Sequence, residues 1–383
     1  MNAQAEQIYT TSNDMYQIGG YVFQRATLRD DDTIKMILKT NEMDSWIKIA
    51  TEHEPSYFNA TNLFGSTEAI LSRTKDTGEI VGMCSFTKMR THYNGKPVDL
   101  GYLGELRVVP KFRNNLKIIR YGFESIKNIS NLTNKIWFTS IAKENNVARR
   151  LLEANLKGMP RYRRIGELAT LAFSVNRKKV KLQFESASKS DIPILVEFYN
   201  KYASEYQYSP ELNTKWLSDL NGQNGISIND FYILKDGSDI QACFAIWDQR
   251  NIKQTVVRGY RFPLNLFRIP YNLFSSFFSQ AKLPAVNNKV NYIFISFLTV
   301  SEHKINKSIE ILDAALSEIK KRNAGIGMVG LSVNNPIYNK LIERQHHSYI
   351  TCIEEVSFCN EGTPLDVNDS ENFVPVQPEI AML

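Results

Sequence analysis

One run of segments occurs twice in this chain, and that repeat constrains the fold more than any other feature. In the first run, Tyr21 to Thr27 has strand composition and Arg29-Asp30-Asp31-Asp32 opens a helix through Lys39. A second helix is read over Asp44 to His53. Asp76-Thr77-Gly78 is a hairpin signal between the β-rich runs Ala69 to Ser72 and Ile80 to Met89. Val98 to Val109 reads as a long strand stopped by Pro110. Leu116, Ile119, Phe123 and Ile126 then place a helix over Asn114 to Asn128. A strand (Lys135 to Ala142), a helix (Asn145 to Leu156) and a strand (Glu167 to Val175) follow.

The second run begins with a strand over Lys181 to Ala187 and a helix over Asp191 to Tyr202, then turns at Asp236-Gly237. It continues with a strand (Asn291 to Val300), a helix (Lys304 to Arg322), a strand (Met328 to Val333), a helix (Pro336 to Arg344) and a strand (Tyr349 to Phe358). Asn145-Asn146 before Leu151-Leu152-Glu153 is echoed by Asn334-Asn335 before Leu341-Ile342-Glu343, at an offset of 189 to 190. The reading is two copies of one mixed α/β (α+β) unit, residues 1–178 and 179–360, joined at the basic stretch Asn176 to Lys181. An acidic extended tail, 361–383, is expected to be mobile or to lie along the surface.

Charge is unevenly spread. From Arg107 to Lys181 there are 18 basic residues against 4 acids, leaving 28 against 36 elsewhere. A basic block in a mildly acidic chain calls for an anionic partner: a phosphorylated cofactor, nucleic acid or a membrane surface. Val290 to Val300 is the longest apolar-looking run, far short of the roughly 20 residues a bilayer demands, so no spanning helix is expected. The polar N-terminus has no apolar block, and the four cysteines are scattered. Both features point to a cytoplasmic chain with reduced thiols.

Most motif-like strings fail on context. Gly325-Ile326-Gly327-Met328-Val329-Gly330 spells a dinucleotide fingerprint, but a helix precedes it and a strand follows, the reverse of what a pyrophosphate site needs. His346 and His347 are adjacent on a strand and face opposite ways, so they do not share a metal ion with Cys352 and Cys359. No metal site is expected. Phe112, Tyr121, Trp137 and Tyr162 lie near the basic block, but their helix and strand spacing marks them as core, which weakens the nucleic-acid reading.

The segment with chemistry in it is Gly104 to Ile118, GELRVVPKFRNNLKI. A strand stops at Pro110, a short basic turn follows, and a helix begins near Asn114. The unpaired N–H groups of a first helical turn attract an anion, with Arg113 and Lys117 alongside.

Here the chain resembles the GNAT acyltransferase family, whose central motif runs L-x-V-x-P-x-x-(R/Q)-x-x-G-x-(G/A). Leu106, Val108, Pro110 and Arg113 fall at matching positions, and Asn145 with Ala148 matches the family's later Asn-x-x-Ala. The wider run is similar to a bacterial group of tandem-GNAT proteins. Leu116 and Ile118 stand where the family has small residues, and Leu152 stands where many members carry a tyrosine acid. In the second copy Thr299-Val300-Ser301 replaces the Pro-turn-Arg segment, so cofactor binding is expected in the first copy.

The resemblance implies an acyl-CoA-dependent N-acyltransferase. Acetyl-CoA (or another acyl-CoA) is the cofactor, and a small-molecule or peptide amine is the acceptor. Its pantetheine arm would pair with backbone near Leu106, Arg107 and Val108. Its diphosphate would sit over Asn114, Asn115, Leu116, Lys117 and Ile118 beside Arg113, with Asn145 positioning the amide arm. Glu105 is the implied general base and Tyr162 the substitute acid. Two alternatives stay open: that Glu105 pairs with Arg107 on the same strand face, and that the chain is a non-catalytic binding or scaffold protein built from two degenerate copies.

Overall fold

The computed structural model describes residues 9–12, 14–43, 46–59, 65–129, 136–175, 180–275, 282–358 and 374–383. Its first half opens with strands Tyr9–Ser12 (β1), Met15–Ile18 (β2) and Tyr21–Arg25 (β3). Helix Asp31–Thr40 (α1) and strand Ile47–Glu52 (β4) follow. The meander Ser66–Thr74 (β5), Ile80–Tyr93 (β6) and Lys96–Val108 (β7) includes the expected turn, where Gly78 takes a φ of +68°. Helix Leu116–Ile129 (α2), strand Trp137–Ala142 (β8), helix Asn146–Leu152 (α3) and strand Arg161–Ser174 (β9) complete this half.

The second half runs Glu185–Ser186 (β10), Ile192–Ala203 (α4), Thr214–Asp219 (α5), Phe231–Asp236 (β11) and Asp239–Trp247 (β12). Gln254–Tyr260 (β13), Leu264–Ser275 (α6) and Tyr292–Val300 (β14) come next. Ser308–Lys321 (α7), Ile326–Ser332 (β15), Pro336–Leu341 (α8) and His347–Ser357 (β16) close it. The sequence echo is structural: Asn145 Oδ1 caps α3 through the Ala148 amide, and Asn335 Oδ1 caps α8 through the Ile337 amide.

Two expected elements are corrected. Over the described residues of the helix expected at Asp44 to His53 the chain is instead the strand β4, in which Ile47, Ile49 and Thr51 alternate with Lys48, Ala50 and Glu52; residues 44 and 45 lie outside the described ones. The partner of β4 is β13, with Ile47 opposite Tyr260 and Glu52 opposite Gln254. A pairing some two hundred residues away in sequence outweighs local helix propensity. The strand over Lys181 to Ala187 shrinks to the two residues of β10.

Fourteen strands form one sheet in the order β1-β2-β3-β5-β6-β7-β8-β16-β9-β15-β14-β12-β11-β10. Each half's last strand lies among the strands of the other. β16 pairs antiparallel with β8 and with β9, and β9 pairs antiparallel with β15. One core cluster therefore draws on both halves: Tyr102 and Phe138 pack with Tyr208, Phe231 and Trp247, and the Phe138 and Tyr208 rings stack 4.5 Å apart. Burying each such aromatic side chain contributes about 1.5–3 kcal/mol. Separate clusters lie under α2, under α7 with α8, and under α1.

The tail expectation is also corrected for residues 374–383, which pack inside the second half. Val376 is buried and bridges to Gln207, and the Gln377 amide bonds both the Gly330 carbonyl and the Ser332 N–H on β15. Residues 361–373 lie outside the described ones. Among the described residues no helix is long and apolar enough to cross a membrane.

Candidate active site

In each half one pair of neighbouring strands runs parallel over three residues and then parts. In the first half Gly101–Leu103 of β7 pairs with Trp137–Thr139 of β8. In the second half Tyr292–Phe294 of β14 pairs with Ile326–Met328 of β15. Thr139 Oγ1 donates to the Leu103 carbonyl (2.7 Å) and closes the apex of the first splay. Gly101 is dictated by this apex: a Cβ there would lie 2.0 Å from the Trp137 ring. Beyond the apex β7 carries a bulge at Glu105, φ +50°, where the register against β6 shifts between Met83 and Ser85.

The bulge turns the Glu105 side chain toward residues that sequence reasoning did not select. Tyr57 donates its hydroxyl to Glu105 Oε2 (2.7 Å), and His53 Nε2 lies 3.4 Å from Oε1. Arg107 is not a partner of Glu105; its guanidinium donates instead to the Leu106 carbonyl. The same-face pairing fails because the bulge breaks the two-residue alternation on which it depends. Burial by itself would raise the Glu105 carboxyl, but the His53 imidazole, the Tyr57 hydroxyl and the Lys253 ammonium outweigh it and hold the group down at about 2. Lys253, from the β12–β13 connection of the second half, is pushed below the usual lysine range by burial, against the pull of Glu105. Its ammonium donates to an oxygen of Leu383. Burial pushes the Tyr57 hydroxyl well up and raises the nearby Cys84 thiol to about 12.

His53 is 5% exposed; both its ring nitrogens are buried and neither makes a hydrogen bond among the described residues, Nε2 having only the 3.4 Å contact with Glu105. A carboxylate on one side of an imidazole and a vacant nitrogen on the other can orient the ring and take up a proton. The only sequence signal for His53 was the alternation of Ile47 and Ile49, which runs on toward it as a strand.

The turn after β7 is a single 3-10 turn, Pro110–Phe112, leading into α2. Internal bonds take up the amides of Phe112, Arg113, Asn115 and Ile118, and Asn115 Oδ1 accepts from that of Lys117. The amides of Asn114 and Leu116 have no acceptor among the described residues. Leu116 points outward, 47% exposed, while Ile118 is buried. Lys117 is exposed with no ion-pair partner among the described residues. Arg113 is tied down, Nε to the Val108 carbonyl (3.1 Å) and a terminal nitrogen to Asn41 Oδ1 (2.8 Å). Leu106 is exposed and Val108 half-buried on the parting strand. Tyr162 lies in the cluster under α2, edge-on to Phe123, and its hydroxyl pKa is raised by burial and by Cys84 and Glu354.

A parallel pair that parts, a bulge beyond the parting on β7 and on β14, and a helix that follows make up a GNAT-type fold, present here in two tandem copies. Among solved structures the chain is similar to Saccharomyces cerevisiae N-myristoyltransferase with bound myristoyl-CoA, at a TM-score of 0.56 and 10% identity, over 92% of this chain and 85% of that one. A structure of the same yeast protein with bound myristoyl-CoA and inhibitors gives a TM-score of 0.56 and 10% identity, over 89% and 81%. The likeness is one of fold. No protein-family model and no curated protein matches the sequence.

Proposed function

We propose that this protein is an acyl-CoA-dependent N-acyltransferase whose working site is the splay between β7 and β8. The observation that carries the reading is the Glu105–His53 pair at the bulge of β7, the strand that leads into the turn where the amides of Asn114 and Leu116 have no acceptor among the described residues. The thioester arm runs along β7 past Leu106 and Val108, and its diphosphate lies over the start of α2 with Lys117 alongside. The basic block from Arg107 to Lys181 supports this placement.

Glu105, held at about 2, is too weak a base to carry a proton near neutrality. His53, the imidazole in contact with Glu105, takes the proton of the attacking amine, and the Glu105 carboxylate stabilises the imidazolium that forms. The amine nitrogen forms a bond to the thioester carbonyl carbon, the C–S bond breaks, and CoA leaves as a thiolate. A thiol pKa of about 8.5 makes that departure possible without a strong acid, so Tyr162 has a packing role here. Tyr57, Cys84 and Phe86 are buried beside the bulge and favour a short acyl group, acetyl first. The acceptor is a small-molecule or peptide amine.

The test is release of CoA thiol from acetyl-, octanoyl- and myristoyl-CoA with a panel of amines, paired with calorimetry. Binding and turnover that both require His53 support the reading. Absence of CoA binding at millimolar ligand refutes it.

A further inference from the structure

The second half has the same splay, and it is already filled. Gln377 bonds Gly330 and Ser332 on β15, while the Phe297 amide on β14 donates to Glu379 Oε2 (2.9 Å). Ile380 presses on Gly330, where a Cβ would meet its side chain at 2.2 Å. The segment thus sits where the first half is proposed to hold a thioester arm, and it leaves a cavity of about 200 Å³ beside it. That is several times the roughly 30 Å³ a single water occupies in the liquid.

The walls of this cavity are chemically one-sided. Tyr199, Tyr206 and Phe297 supply aromatic surface, and Glu205, Glu302 and Glu379 supply three carboxylates. No lysine or arginine lines it. Glu205 and Glu302 are exposed at the rim, while Glu379 stands at the inner end between the Phe297 and Ala381 amides. Lys201, which partly offsets the repulsion at Glu205, sits over the Tyr202 ring at 5.3 Å. Glu205 is raised above the usual carboxylate range by burial and by Glu302, and burial raises Glu379 to about 7. An organic cation relieves that repulsion and offers a flat or alkyl body to the aromatic walls.

We propose that the second half binds a small organic ammonium compound, an amine with an apolar body, in the cavity between β14, α4 and the 374–383 segment. The site is separate from the acyl-transfer site and does not depend on it. The probes are phenethylamine and hexylamine, each compared with its neutral alcohol, titrated by calorimetry into the full chain. Both amines are expected to bind and their alcohols to bind at least tenfold more weakly. The double variant Glu205→Gln/Glu302→Gln changes only exposed side chains and is expected to weaken amine binding roughly tenfold. Glu105→Gln is expected to leave amine binding unchanged. Any of four results overturns the proposal: no amine binding at millimolar concentration, equal binding of amine and alcohol, no effect of the double variant, or an equal loss in Glu105→Gln, which would place the amine in the first half.

Discussion

Glu105 and Phe297 occupy the same place in the two halves. Glu105 lies on β7 and Phe297 on β14, the strands that part from their parallel neighbours, each with a positive φ, +50° and +55°, opposite a register shift in the neighbouring strand. One bulge presents a carboxylate to His53 and Tyr57, and the other presents an aromatic ring and gives its amide to Glu379. The backbone device was kept in both copies, and the side chain on it divides their chemistry.

If His53 is the proton acceptor, His53→Ala is expected to lower kcat by about 10²–10⁴-fold while leaving acyl-CoA affinity within a few-fold. Glu105→Gln keeps the shape but removes the charge that steadies the imidazolium, and is expected to fall in the same range. Steady-state rates with calorimetric Kd values separate the two effects. A collapse of affinity with unchanged kcat would assign these residues to binding.

The low pKa of Glu105 has a consequence for stability. Its folded value of about 2 lies below its ordinary 4.5, so the charged pair contributes stability above pH 4.5 that is lost as the pH falls toward 2. Urea midpoints of the wild type and Glu105→Gln are expected to differ at pH 7 and to converge only as the pH falls to about 2 and below. The gap is on the order of 1–3 kcal/mol.

Glu379 has the opposite sign. Its folded value of about 7 exceeds the ordinary 4.5, so the buried acid favours the fold below pH 4.5 and loses that advantage as the pH rises through 7. Glu379→Gln removes the titration. Its stability is expected to vary less between pH 5 and 8 than that of the wild type, as read by urea unfolding at several pH values.

Lys117→Glu is expected to raise the KM for acyl-CoA roughly tenfold with little change in kcat, and added salt is expected to narrow the difference. Arg113→Glu breaks the bonds to Val108 and Asn41, so it is expected to lower the melting temperature as well as cofactor affinity. Thermal shift with and without CoA distinguishes the two roles.

Gly101→Ala places a methyl group against the Trp137 ring at the apex of the splay. Overpacking there is expected to cost about 1–3 kcal/mol. A methyl that left both stability and turnover intact would show that the apex has room for a side chain.

Much of this was legible in sequence because the signals are local. Helix periodicity in α2 and α7, the Asp76-Thr77-Gly78 turn and the two capping asparagines each act within a few residues, so the repeat was visible before any contact was known. The basic turn was visible for the same reason, since Pro110 and the helix start fix it. The base was not. His53 sits in a segment whose strand state depends on β13, and Lys253 approaches Glu105 only because the two halves share a core.

The sequence by itself determined that there are two mixed α/β copies, where the basic turn lies, and which strand carries Glu105. The tertiary structure alone decided that β9 and β16 lie among the strands of the opposite half, that Glu105 faces His53 and Tyr57 rather than Arg107, and that residues 374–383 fill the second splay. The division follows the range of the forces. Propensity, capping and turn geometry are written in neighbouring residues, whereas strand partners, bulge direction and the charges around a buried carboxylate exist only once distant segments have been brought together.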